Sequence, residues 1–395
     1  MQKYFYFIIA FLLGNFAIAG NISLTVSNPN QVDVQDAPVV VQLDQFKKIG
    51  LKKRNQLAVF VGGKQVSSQL DDLNHDSIPD ELSFLIDLKA GEKKKINLRH
   101  ISDKNRIEFP VEVYASLILK EVDGSHRYVK EISSDKNDMY NKLHHHGVAF
   151  ESALMAYRIY FDNKSTIDVY GKKKYQLELA ETKWYPTEEQ LAAGYGDDIL
   201  LVSGWVGVGT VKGFEKEKAT HINKFDLRTH RIVATGNIRT IVESEVKGWE
   251  YEGKKIDMTV RYTLYARHRD VIAEITASED IEQLATGVQQ IGGGACFQSN
   301  QLVGSWGSWH PQPDFAKYPK ETAGLGLYMP QEFQGKQVME GVNNLIIFPL
   351  KTGDTARFYF TTVAEKEEQN EIKSAEEFFK YLNNWRRGLI SILVE

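Results

Sequence analysis

The sequence predicts an all-β protein, a large antiparallel β-sandwich with few short helices. Three observations point there. Strand-like segments rich in Tyr, Phe, Val, Ile and Thr recur along most of the chain, at residues 39–43, 57–61, 82–88, 106–120, 231–242 and 257–277. In the last of these, Met258, Val260, Tyr262 and Leu264 alternate with Thr259, Arg261 and Thr263, the period of a strand with one buried face. Only two helices are legible: 187–193, where Thr187 and Gln190 match a capping box, and 375–387, opened by Ser374 and Glu377. The second has Phe378, Phe379, Leu382 and Trp385 as its apolar side.

In chain order, residues 1–20 read as a secretory signal peptide. Lys3 precedes an apolar run too short to span a membrane, and Ala17-Ile18-Ala19 supplies the cleavage signal. No cysteine follows that site, so no membrane anchor is expected and the mature protein is placed in a periplasm. The single cysteine, Cys296, excludes an internal disulfide. A net charge of −4 argues against nucleic acid as a partner. Residues 21–105 are expected to form a small β-sandwich of their own, and 106–395 the large one. The charged run 365–371 reads as a solvated loop.

Four local signals bear on function. In the stretch 71–81, DDLNHDSIPDE, oxygen ligands at Asp72, Asn74 and Asp76 with a later acid at Asp80 or Glu81 have the spacing of a calcium loop. Ser77 stands where such loops prefer Gly, and an acidic surface turn is the alternative. Any calcium here is expected to be structural. The glycines at 204–209 lack dinucleotide spacing and suit bulges or close backbone approach. Trp306-Gly307-Ser308-Trp309-His310-Pro311 reads as a broken loop displaying its aromatics, with Trp309 and His310 as substrate contacts.

The fourth signal is the richest. His144, His145 and His146 form a turn ended by Gly147, followed by a hairpin of strands 152–161 and 166–170. Alternation puts Arg158 and Tyr160 on one face, with Glu151, Tyr157 and Ile159 on the other. Asp168, Tyr170 and Lys172 line up on the second strand. A zinc site would need ligands beyond the histidine run, because adjacent residues cannot all face one ion.

The HHG of 145–147 with Glu151, AYRIYFD at 156–162 and DVYGK at 168–172 resemble a family of exported Bacteroidota proteins catalogued as a domain of unknown function. DLNHDSIPDEL at 72–82 and GYGDDIL at 194–200 carry the same resemblance, which covers essentially the whole mature chain. The resemblance implies a setting of polysaccharide utilisation, and an activity like that of an oligosaccharide dehydratase of ulvan breakdown. Such an enzyme removes water from a non-reducing-end uronic acid and leaves a 4,5-unsaturated uronyl group. By analogy with sugar mutarotases and polysaccharide lyases, the large sandwich is expected to be a two-sheet supersandwich.

The residues suit that chemistry on their own terms. Taking the proton at C5 and expelling the 4-oxygen needs a donor for the carboxylate, a base and an acid. Arg158 is expected to grip the carboxylate with its fork. His146 is expected to act as base and Tyr170 as acid supported by Lys172, with these two roles exchangeable. Glu151 is expected to orient a histidine, His145 or His146, and Tyr160 to contact substrate. No cofactor is required. A lyase expelling a sugar and a non-catalytic carbohydrate-binding protein use the same residues and stand as alternatives.

Overall fold

The computed structural model describes residues 21–46, 51–389 and 393–394, and residues 1–20, read above as a signal peptide, lie outside them. The chain is an all-β sandwich protein, divided into two compact units. The first takes in the described residues up to Val111, together with Gly236–Arg239 and those from Asn384 onward. A division at residue 105 leaves out these two distant segments.

In the first unit, Asn21–Ser27 lies between Lys93–His100 and Leu393–Val394 in a five-stranded sheet, with Val26 opposite Val394. A three-stranded sheet is built from Val34–Gln42, Glu81–Leu88 and Ser68–Asp71. Ala37, Val39 and Val41 are buried while their neighbours are half-buried, and they pack with Phe84 and Leu98.

The second unit, 112–235 and 240–383, carries sheets of nine, six and five strands. Phe150, Tyr157 and Val169 from the six-stranded sheet share one core with Val260, Tyr262 and Phe358 of the nine-stranded sheet. Leu284 and Phe348 of the five-stranded sheet join them. Burying one such side chain stabilises by roughly 1.5–3 kcal/mol, so this shared core holds the layers together.

Several expected strands change bounds for local reasons. The segment from 106 begins pairing only at Val113, after Pro110 and a charged stretch. The one at 231–242 is two strands, Leu227–Ala234 and Arg239–Tyr251, parted around Gly236. That at 257–277 is likewise Lys254–Tyr265 and Val271–Ala277, with Met258, Val260 and Tyr262 buried as the alternation requires.

Both expected helices form, as Glu188–Ala192 with its full capping box and Ala375–Gly388 with Phe378 and Leu382 buried. Gly207 has φ +57°, and a Cβ there would lie 2.1 Å from the Ile167 carbonyl oxygen, so this glycine does serve a close backbone approach. The 365–371 run is not wholly solvated, because Glu367 is buried and accepts from Arg269 at 2.8 Å. Among the described residues, no helix is long and apolar enough to cross a membrane.

Candidate active site

Three strands of the six-stranded sheet build the site: Leu143–Ser152, Met155–Tyr160 and Ile167–Gly171. The histidines lie in the first strand rather than on a turn. Its register against Val113–Lys120 breaks between Leu143 and Val148, so residues 144–147 form a bulge, the device that re-aims side chains at a sheet edge. His146 takes the left-handed φ of +63°. A Cβ on Gly147 would sit 1.7 Å from the Ile159 carbonyl oxygen, so only glycine lets the two strands close there. His144 and His146 end half-buried, and His145 fully buried.

Opposite residues of an antiparallel pair share a face, so Gly147, Ala149 and Glu151 lie with Tyr160, Arg158 and Ala156. The same rule adds Asp168 and Tyr170. Glu151 therefore shares the Arg158 face, contrary to expectation. Tyr157 and Ile159 point into the core as expected.

Arg158, 2% exposed, is the hub of this face. Its Nε and Nη2 donate to Asp168 at 3.0 and 2.7 Å, and Nη2 also to Asp198 at 3.1 Å. Nη2 donates to the Tyr160 hydroxyl at 2.6 Å and Nη1 to that of Tyr185 at 3.0 Å. The guanidinium carbon lies 4.4 Å from the Trp184 ring centroid, a cation–π contact. The expected grip on a substrate carboxylate is thus already taken by two protein carboxylates, and Arg158 positions its neighbours instead. Burial, then Asp168, push the Asp198 carboxyl well above its ordinary value. Gln312 steadies Asp198 from the loop after Trp309 at 2.8 Å.

His146 faces this hub from the bulge. Its ring stacks on Tyr140 at 3.5 Å and lies 6.1 and 6.2 Å from the rings of Tyr160 and Tyr185. Nδ1 is 2.8 Å from the Tyr140 carbonyl oxygen. A carbonyl only accepts, so Nδ1 carries the proton and Nε2 presents its lone pair. Burial lowers its pKa to about 4. Tyr185, 42% exposed, accepts from Arg158, which leaves its own proton free to be given outward. Lys183 and Trp184, just before it, both hold positive φ, and such strain gathers where side chains must be aimed.

Tyr170, Glu151 and Lys172 form a separate, fully buried network on the same face. Tyr170 donates to Glu178 and to the Gly196 carbonyl, each at 2.8 Å, and burial followed by Glu178 raises its pKa. The Lys172 ammonium pairs with Glu151 and donates to the carbonyls of Ser152 and Gln176. Glu151 accepts from the backbone N–H groups of Glu178 and Leu179, at the start of the helix Leu179–Thr182. It orients no histidine, and Lys172 bonds elsewhere than Tyr170. These three hold the covering segment rather than meet solvent.

Trp306 is in a strand and 8% exposed, so it is not displayed. His310 stacks on Phe315 at 4.6 Å and bonds the Tyr318 carbonyl, and Trp309 packs beside it. Their contribution to the hub is the loop that delivers Gln312.

In the acidic loop, Asp72 accepts from the N–H groups of Asp76 and Ser77, Asn74 from Asp76, and Asp80 from Leu73. Ser77 adopts φ +70°, the conformation for which a calcium loop uses Gly. Among the described residues, no group of three or more His, Cys, Asp or Glu side chains is arranged to hold a metal. A hollow of about 430 Å³ lined by residues 135–138 and 223–225 contains none of the expected site residues.

Sequence reasoning did not find Asp198, Gln312 or Tyr140 as site residues, and for Tyr185, one of several aromatics able to stack on a sugar, it favours core packing, whereas the residue is 42% exposed. The one available signal was the Asp197-Asp198 pair ahead of an apolar run, since a charge beside buried strands needs a partner.

The pattern of a family described as "Domain of unknown function (DUF4861)" matches residues 26–393. No curated protein matches the chain. Among solved structures, a glycosyl hydrolase family 38 protein from Enterococcus faecalis is similar at 10% identity and a TM-score of 0.44. That match covers 96% of this chain and 48% of the other. An alpha-mannosidase from Enterococcus faecalis V583 is similar at 10% identity and TM-score 0.43, over 95% and 46%. A putative kojibiose phosphorylase from human microbiome follows at 11% and 0.37, over 72% and 37%. The chain spans about half or less of the length of these structures.

Proposed function

The chain belongs to the DUF4861 family, and from that premise we propose that it is a carbon–oxygen lyase acting on short acidic oligosaccharides, a dehydratase of the terminal uronic acid. The observation that carries this reading is the pairing of His146 and Tyr185, their rings 6.2 Å apart, an imidazole whose Nε2 keeps its lone pair and an exposed phenol that accepts from Arg158 and keeps its own proton. Nε2 of His146 takes the C5 proton, the C4–O bond breaks as C4=C5 forms, and Tyr185 protonates the departing oxygen as water. The proton then returns from His146 to Tyr185 through solvent. Arg158 holds both tyrosines in place and lends positive potential from beneath.

The resemblance to an oligosaccharide dehydratase supports water as leaving group. Incubation with saturated uronate oligomers tests it by mass spectrometry and ultraviolet absorbance. Loss of one water per oligomer with a new conjugated-uronate absorbance is expected from the wild type and not from His146→Ala. Shortened oligomers instead establish the lyase alternative, and unchanged oligomers reject both.

A further inference from the structure

We propose that Lys120, His126 and Lys183, grouped around the His144 ring, form an oxyanion subsite that receives the carboxylate of the reacting sugar, an assignment resting on the dehydratase reading above. Arg158 cannot supply that contact, because its fork is filled by Asp168 and Asp198. The elimination still requires the carboxylate charge to be neutralised, so a cationic group must lie elsewhere beside His146 and Tyr185.

The sheet register places it. Lys120 is directly opposite His126 in the pairing of Val113–Lys120 with His126–Tyr128, so the two share a face. Leu119 opposes Leu143, which brings this hairpin's end alongside His144. The His126 and His144 rings are 4.5 Å apart, and His144 lies 5.7 Å from the Tyr185 ring. The Lys183 backbone accepts from the His144 ring, and its left-handed φ precedes Trp184, whose ring packs against Arg158.

His126 is exposed, and Lys120, His144 and Lys183 are half-buried. Among the described residues, neither lysine has a carboxylate within ion-pair distance, whereas many other cations of this chain do. The charges acting on His144 are positive, from His126, Lys120 and Lys183, and help burial lower its pKa to about 4. Two unpaired ammonium groups and the His126 ring donor fit a planar carboxylate, with the neutral His144 ring, its N–H given to the Lys183 backbone, packed between them; the same donors fit a sulfate ester.

Binding of methyl glucuronide, its neutral glucoside and a glucoside sulfate, measured by calorimetry, tests the assignment apart from turnover. The wild type is expected to favour the glucuronide over the glucoside by roughly tenfold, and by less as salt screens the lysines. A Lys120→Gln, Lys183→Gln double variant is expected to lose that preference with an unchanged melting temperature. A preference retained in the variant, or absent in the wild type, overturns the subsite even if saturated oligomers are dehydrated. Preference lost in the variant without turnover of any oligomer keeps the subsite and rejects the dehydratase. Tighter binding of the sulfate than of the glucuronide overturns the carboxylate assignment.

Discussion

His146 is held as a neutral imidazole by burial, which outweighs the Tyr140 carbonyl hydrogen bond that favours the protonated ring, and this sets the pH range over which it can act. With its pKa lowered to about 4, it remains a base throughout the neutral and mildly acidic range. We expect kcat/KM on saturated oligomers to stay level from pH 7 down to pH 5 and to fall only as pH approaches 4. An acid limb centred near the ordinary histidine value of 6.5 rejects His146 as the base. His146 and Arg158 were legible because their chemistry is dense within one short stretch. Asp198 and Gln312 were not, since they stand 40 positions from Arg158 and 114 from Asp198, and only the folded sheet joins them.

Among the elements, the segment from Gln176 to Tyr185 is fastened to the sheet by the Glu151–Lys172 pair and by Tyr170 with Glu178. Removing one partner leaves a buried charge, so Glu151→Ala or Lys172→Met is expected to cost about 3–5 kcal/mol in urea unfolding. Activity lost with stability unchanged in either variant contradicts this structural role. Alternation within 152–161 could not reveal the shared face of Glu151, because that residue belongs to the preceding strand. Pairing, not spacing, sets its direction. The acidic loop makes a second prediction at this scale. We expect calcium to raise the melting midpoint over that in chelator, and Asp72→Ala to abolish the difference. Identical midpoints leave an acidic turn held by its own N–H groups.

At the scale of the whole molecule, His145 and His230, buried without hydrogen-bond partners among the described residues, make stability depend on pH. Burial lowers both well below the ordinary value of 6.5, so below that pH the unfolded chain binds more protons than the folded one. Each is expected to remove about 1.4 kcal/mol of stability per pH unit on acidification below 6.5. Urea midpoints that hold constant from pH 7 to pH 5.5 contradict this. The β class was legible because alternation reports a half-buried strand directly. The composition of the first unit was not, since Gly236–Arg239 and the last strand are joined to it only by contacts. That last strand pairs Val394 with Val26. The strand Asn21–Ser27 therefore cannot complete its pairing until Leu393–Val394 has emerged from the ribosome, and must wait incomplete while the larger unit is synthesised. Loss of Leu393–Val394 alone would leave Asn21–Ser27 with an unpaired edge, turning a two-residue deletion into a defect more than 360 positions away in the chain.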